Sequence, residues 1–292
     1  MLVLGAGGQL GSELTRALAS VGNVTGLDRS GLDLSDLDAV RATVQSAGAD
    51  VIVNAAAYTQ VDRAEKERDV AYRVNGEAPA VLASHAARTG ALLVHFSTDY
   101  VFDGLSRRPY TEEDAPAPLN AYGATKLAGD HAVLASDAEV FVFRVGWVYS
   151  RRGQSFLRRI EQLAVERDEL RVVADQYGSP SYARSIAEHT TLAIGEWLAS
   201  RHDGRRTPPR GLYHMASPDY ATWHEFAKEI VHRMEFPRMK RPPAVTPITT
   251  EEFRSPVRRP VWSVLNSEKL ACTFGTSLPP WKEQLAMCLA RV

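Results

Sequence analysis

Leu2-Val3-Leu4-Gly5-Ala6-Gly7-Gly8-Gln9-Leu10-Gly11 opens the chain and decides how the rest is read. Three strand-type apolar residues run into a glycine cluster, and a helix-like stretch follows. Strand, tight turn and helix start, in that order, make the first half of a βαβ unit. Gly5 and Gly8 let the backbone come close to a pyrophosphate, and Gly11 lets helix and strand pack tightly. The free N–H groups and positive dipole end of the helix that follows, next to Gln9 and Leu10, then face the anion. The spacing is G-x-x-G-x-x-G, and a glycine cluster alone is as well explained by a structural turn. Its place between a strand and a helix is what points to a dinucleotide.

Working outward, strand-like runs recur at Met1–Leu4, Asn23–Leu27, Val51–Asn54, Leu92–Ser97 and Val140–Val145. Helix-like stretches lie between them, at Leu10–Val21, Val70–Thr89 and Ala121–Leu134. Apolar strands without polar alternation, separated by helices, predict an α/β fold with a doubly wound parallel sheet of Rossmann type. Beyond residue 145 the pattern loosens. Helices are expected at Phe156–Val165, Ser185–Ser200, Trp223–Phe236 and Trp281–Arg291, with loops at Arg201–Arg210 and Arg238–Pro247. We therefore expect a dinucleotide-binding domain over 1–145 and a smaller, mainly substrate-binding domain over 146–292. Some segments, Gly211–Met215 among them, should return to the sheet.

Asp28 ends the second strand, near the distance at which an acid accepts from an adenosine ribose hydroxyl; Arg29 beside it suits a 2′-phosphate instead. NADH and NADPH both stay open. Asp33 and Leu34 follow on the adenine side, where Asp33 could equally cap the next helix. Ala55, Ala56 and Ala57 end the third strand and leave space for a cofactor to cross the strand ends.

Tyr122 and Lys126 are four residues apart, so on a helix they share one face. A phenol titrates near pH ~10, and a neighbouring ammonium should lower that value. Lys126 could also hold the nicotinamide ribose. Ser97-Thr98-Asp99 ends the fourth strand, at the sheet edge where ligands of such folds bind. A hydroxyl there can donate to a carbonyl oxygen gaining charge; Thr98 is the first choice and Ser97 the second.

The chain has 292 residues, 45% of them hydrophobic, with 34 Lys and Arg against 35 Asp and Glu. That balance gives no electrostatic case for nucleic acid or an anionic membrane as partner. No apolar run is long enough for a membrane span, and Met1 leads straight into strand-like sequence without a leader. Two cysteines, Cys272 and Cys288, fit a reducing cytoplasm. The histidines lack metal-ligand spacing, so no metal is expected. Glu112, Glu113 and Asp114 read as a solvated loop. Trp223, Phe226, Ile230 and Met234 read as core, and Arg258 and Arg259 as either a diphosphate fork or solvent-exposed side chains.

These residues resemble the extended short-chain dehydrogenase/reductases and, within them, the dTDP-4-dehydrorhamnose reductase family. The likeness runs through Gly8-Gln9-Leu10-Gly11, Val53-Asn54-Ala55-Ala56-Ala57-Tyr58-Thr59, Ser97-Thr98-Asp99-Tyr100-Val101-Phe102-Asp103-Gly104, Tyr122-Gly123 with Thr125-Lys126, Gly146-Trp147-Val148-Tyr149 and Asp175-Gln176-Tyr177-Gly178-Ser179-Pro180. The resemblance implies a catalytic trio of Thr98, Tyr122 and Lys126. It implies hydride transfer from NADPH or NADH to C4 of a nucleotide-linked 4-keto-6-deoxyhexose. Asp99, Tyr100 and Trp147 would join Thr98 and Tyr122 on the sugar side. Arg144-Val145-Gly146-Trp147 departs from the family's Arg-Thr-Ser-Trp, so another dTDP-deoxysugar is an alternative substrate. Some members hold magnesium at a dimer interface; Glu13 alone matches such a site, which leaves room for a homodimer but not for a metal. Dehydratases of the superfamily carry Asp-Glu after the Thr, whereas Tyr100 follows Asp99 here. A non-catalytic regulatory subunit, the remaining alternative, would be expected to lose part of the trio.

Overall fold

The structure, a computed structural model, describes residues 1–203, 209–236 and 241–290. The first half runs β1 (Leu2–Leu4), α1 (Gln9–Leu18), β2 (Thr25–Leu27), α2 (Leu37–Ala47), β3 (Val51–Asn54), α3 (Val61–Ala64), α4 (Arg68–Tyr72), α5 (Ala78–Thr89), β4 (Leu92–Thr98), α6 (Ala121–Leu134) and β5 (Glu139–Val145). The second runs β6 (Val148–Tyr149), α7 (Phe156–Glu166), β7 (Glu169–Val173), β8 (Tyr177–Gly178), β9 (Ser181–Tyr182), α8 (Ala183–Asp203), β10 (Gly211–His214), β11 (Ala221–Thr222), α9 (Trp223–Arg233), β12 (Ala244–Ile248), α10 (Thr250–Phe253), α11 (Glu268–Phe274) and α12 (Trp281–Leu289).

Six strands pair in the order β10-β5-β4-β3-β1-β2, all parallel. β1, β3 and β4 are buried along their whole length, as strands covered on both faces must be. The expected Rossmann sheet is therefore present, and Gly211–His214 returns to it as its sixth strand. The strand order reverses at β1 and β3, the point at which sheets of this kind open a crevice.

The expected helix over Val70–Thr89 is three pieces. α4 passes into a π-helical turn at Arg73–Glu77 and then into α5. One extra residue per turn leaves the apolar periodicity almost intact, so the sequence pattern does not reveal it. The loop expected at Arg201–Arg210 begins later, because α8 continues to Asp203; residues 204–208 lie outside the described ones. The loop expected at Arg238–Pro247 is partly strand: β12 pairs with β7 in parallel register, and residues 238–240 lie outside the described ones. α9 ends at Arg233 and α12 at Leu289, short of the expected Phe236 and Arg291, the latter outside the described residues.

β7, α7, α9 and α12 enclose a second apolar cluster of Tyr149, Leu157, Ile160, Phe226, Ile230 and Leu285. Cys272 is exposed, Cys288 is buried, and both are free. Among the described residues no helix is long and apolar enough to cross a membrane.

Candidate active site

A cleft of about 770 Å³ opens over the carboxyl ends of β1, β3 and β4. Gly5, Gly8, Gln9 and Leu10 line one end, with Asp28, Arg29, Asp33 and Leu34 beside them. Ala55, Ala56 and Ala57 form the floor, and Thr98, Asp99, Tyr122, Lys126 and Trp147 line the other end. Of the residues expected at the site, Tyr100 stands apart: it is not in the cleft wall but packs edge-on against Tyr122, ring centres 5.8 Å apart.

The glycine loop fits a dinucleotide pyrophosphate. Gly5 has φ +81°, and a Cβ there would lie 2.7 Å from the Ala56 nitrogen. At Gly11 a Cβ would lie 2.0 Å from the Gly5 carbonyl oxygen, so α1 meets the loop backbone to backbone. The first turn of α1 has neither a side-chain cap nor an acid, which leaves its N–H groups for an anion. Gln9 ties this end to the second half of the chain: its Nε2 donates to the Gln154 carbonyl, and its Oε1 accepts from the Ser150 hydroxyl. Gly153 and Gln154 thereby join the cleft wall, and no motif in the sequence announced them.

The acids differ in what they do. Asp28 Oδ1 accepts from Ser30 and Gly31, which holds its carboxyl below the usual range. Arg29 pairs with Asp33 at 3.3 Å on the exposed rim. Asp33 also takes the Ser35 N–H and hydroxyl; it does not cap α2, because Asp36 does.

At the catalytic end, Asn120 caps α6 by accepting from Gly123 N–H, and Glu65 accepts from Ala121 N–H. These two bonds fix where Tyr122 starts. The π-helical turn supplies Asn75, which holds both backbone groups of Tyr58 and donates to the Thr125 hydroxyl. The floor of the cleft and α6 are thus locked to one side chain, and a π turn set at a functional site is a recurring pattern.

Lys126 is buried, and its Nζ donates to the Phe96 carbonyl at 2.6 Å. Burial lowers its pKa to about 8, against the opposing pull of Asp130. The expected lowering of Tyr122 is not found. Burial pushes the phenol up to about 12, with Asp99 and Asp130 adding to the rise and only the Thr98 hydroxyl opposing it. The reason is that the lysine head turns to the Phe96 carbonyl. Tyr122 thus rests as a proton-bearing acid, which is the form a reduction needs. Thr98 Oγ1 donates to Asp99 Oδ1 at 3.2 Å and accepts from Tyr100 N–H. Asp99 is buried, its Oδ2 has no partner, and burial raises its pKa to about 7.

Trp147 adopts φ +44°, a conformation costly for a bulky residue. Its ring lies flat on Trp223, centres 3.4 Å apart and planes 2° apart. Trp223, expected as core, is thus a support for the cleft wall, while Phe226 and Ile230 are core as expected. Arg259 pairs with Asp62 at 2.8 Å. Asp114 is held by Arg108 and Thr111, and Glu112 accepts from His214 N–H, so the acidic loop is structural. Glu13 pairs with Arg16 at 3.0 Å, and among the described residues no cluster of His, Cys, Asp and Glu side chains is arranged to hold a metal.

The family described as RmlD substrate binding domain matches residues 1–292. A dTDP-4-dehydrorhamnose reductase of Burkholderia thailandensis is 45% identical over 99% of this chain and 97% of its own length. One of Shigella flexneri is 39% identical over 97% and 94%. The crystal structure of dTDP-4-dehydrorhamnose reductase from Bacillus anthracis in complex with NADP superposes with a TM-score of 0.87 at 34% identity, covering 98% of this chain and 97% of that one. The chain belongs to this family, the RmlD family of dTDP-4-dehydrorhamnose reductases.

Proposed function

We propose that the chain is an NAD(P)H-dependent oxidoreductase that reduces the C4 keto group of dTDP-4-dehydro-L-rhamnose to give dTDP-L-rhamnose. The observation that carries this reading is the convergence of Thr98, Tyr122 and Lys126 in one cleft with an uncapped glycine-loop helix. When bound, reduced nicotinamide supplies the hydride. Tyr122 gives its proton to the oxygen, Thr98 polarises that oxygen, and Lys126 holds the ribose. Gly5, Gly8, Gln9 and Leu10 hold the pyrophosphate; Asp28, Arg29, Asp33 and Leu34 meet the adenosine side; Ala55, Ala56 and Ala57 let the cofactor pass. Asp99 and Trp147 orient the sugar, and Tyr100, outside the cleft wall, braces Tyr122. In this division of labour, residues 1–145 bind the dinucleotide and 146–292 mainly close over the substrate. A cytoplasmic location belongs to the same reading, supported by two free cysteines, as does a homodimer, which sedimentation would test.

A second reading, a 4-ketoreductase for another dTDP-deoxysugar, is favoured by Gly146. It stands beside Asp99 Oδ2, which has no hydrogen-bond partner, where the family carries a serine.

The test follows oxidation of NADPH and of NADH by absorbance, with dTDP-4-dehydro-L-rhamnose made in situ. Tyr122→Phe is expected to lower turnover ~100-fold or more while dinucleotide binding persists. Near-normal turnover would remove Tyr122 from its role. Turnover restricted to a different keto sugar would select the second reading.

A further inference from the structure

Behind Lys126 runs a chain of buried polar groups that the reaction as described does not use. Asn54 and His95 are the polar residues of otherwise apolar stretches, Val51–Asn54 and Leu92–Phe96, and both are fully buried. Asn54 Oδ1 accepts from Ala56 N–H at 3.3 Å. Asn54 Nδ2 lies 3.1 Å from His95 Nδ1, and His95 Nε2 lies 3.2 Å from Lys126 Nζ.

The inventory of donors and acceptors fixes the proton positions. A backbone N–H only donates, so Asn54 turns its oxygen to Ala56 and its NH₂ to His95. That NH₂ only donates, so Nδ1 must accept, and the neutral ring carries its proton on Nε2. The Nε2–H therefore faces Nζ. It opposes an ammonium, which is also a donor, and matches a neutral amine, which can accept.

We propose that Asn54 and His95 are positioning residues that hold an Nε2–H donor against Lys126 and so favour release of the lysine proton towards Tyr122. The inference rests on the reading of Tyr122 as the acid. Once Tyr122 has protonated the reduced oxygen, its phenolate regains a proton released by Lys126 and passed on by an intervening water or ligand hydroxyl, because the lysine head itself turns to the Phe96 carbonyl. One N–H bond breaks, one O–H bond forms, and the electron pair left on Nζ accepts from His95 Nε2–H. Water later returns a proton to Nζ.

The charges around Lys126 do not reverse this. Tyr122 and Asp130 lie one turn away on either side along α6. Asp130 favours the ammonium, but Arg144 on β5 engages it at 3.1 Å. On the π turn, Arg73 and Glu77 pair with each other at 3.7 Å on the surface, and that turn meets α6 through Asn75. Near the start of α6, Glu65 is occupied by Ala121 N–H, and Asp99 acts on Tyr122.

Histidine ¹⁵N shifts of the cofactor-free protein between about pH 6 and about pH 9 test the chain directly. A bare Nδ1 and a protonated Nε2 at His95 are expected; an Nδ1–H tautomer or a charged ring would overturn the proposal. Asn54→Asp replaces the donor by an acceptor, so the tautomer should reverse and Nε2 should accept from the ammonium. Turnover should then fall about tenfold at neutral pH, and the basic limb of kcat should move up by about one pH unit. A reversed tautomer with an unmoved limb would sink the idea. Should that variant not fold, the shifts of the parent protein still decide. Tyr122→Phe run alongside separates the two readings: near-normal turnover there removes the acid role, whereas the shifts report on the chain alone.

Discussion

Asp99 joins burial, specificity and pH in one side chain. Its Oδ1 is occupied by Thr98, its Oδ2 meets no partner, and burial raises its pKa from 3.8 to about 7. A carboxyl raised in the fold binds its proton more tightly folded than unfolded. Its contribution to stability is therefore fully present below about pH 4 and is lost as pH rises to about 7. Residue 146 is glycine where the family resemblance led us to expect serine, so no hydroxyl approaches from that side, and the side-chain hydroxyls that oppose the rise are those of Ser263 and Thr98. A Cβ at position 146 would stand 3.4 Å from Asp99 Oδ2, an ordinary contact that leaves room for a hydroxyl. Gly146→Ser is expected to supply a donor to that oxygen and lower the Asp99 pKa. The loss of stability between about pH 4 and about pH 7 should shrink, and the variant should gain stability at about pH 8, read by urea unfolding. A curve parallel to that of the parent would mean that the hydroxyl does not reach the carboxylate. The same substitution should change the relative turnover of different keto sugars, because it alters the wall the sugar faces.

The glycine loop and α1 act as one element. At Gly11 an added methyl would collide with the Gly5 carbonyl, 2.0 Å to oxygen and 2.6 Å to carbon, and backbone cannot swing aside as a side chain can. Gly11→Ala is expected to push α1 off the loop and weaken dinucleotide binding by at least ~10-fold, read by fluorescence titration. Gly195, within α8, has nothing within 4 Å of its added Cβ, so Gly195→Ala should stabilise by up to ~1 kcal/mol. Equal effects would mean that helix propensity, and not the close approach, governs Gly11. This element was legible because strand, glycines and helix sit in an order that only a βαβ start satisfies. β3 and α6 were likewise read to the residue, since apolar runs and the Tyr122–Lys126 spacing mark them directly. The π turn escaped because its extra residue does not disturb the apolar pattern, and Asn75 escaped with it. β12 escaped because Pro247 and exposed positions make a half-solvated strand look like a loop. Asn54 stands in the Val53–Thr59 stretch that carries the resemblance but was read there only for its alanines, and His95 belongs to no quoted motif. Their one signal was polarity inside apolar strands, which the reading passed over.

Scale changes the meaning of the boundary near residue 145. The sheet is finished only by β10, which pairs Gly211–His214 with Phe141–Arg144. The core on one face of the sheet joins Val3, Leu14, Phe141 and Phe143 to Ile186, Ile194, Trp197, Tyr213 and Met215 from the later residues. Cutting after Val145 would strip α8 from α1 and leave Phe141 and Phe143, now fully buried, facing water along an unpaired edge. Burying a phenylalanine contributes roughly 1.5–3 kcal/mol, and the net stability of a domain is only about 5–15 kcal/mol. The loss of several such side chains therefore exceeds what a fragment could spare. A 1–145 fragment is expected to lack a cooperative urea transition, to bind an apolar dye and to fail to take up NADPH or NADH. A cooperative transition with dinucleotide binding would show that the first half folds alone and would make the boundary a true domain border. The site itself argues against that result. Gln9, at the start of α1, is held by Ser150 and Gln154, so the pyrophosphate end of the cleft is closed by residues that the fragment lacks.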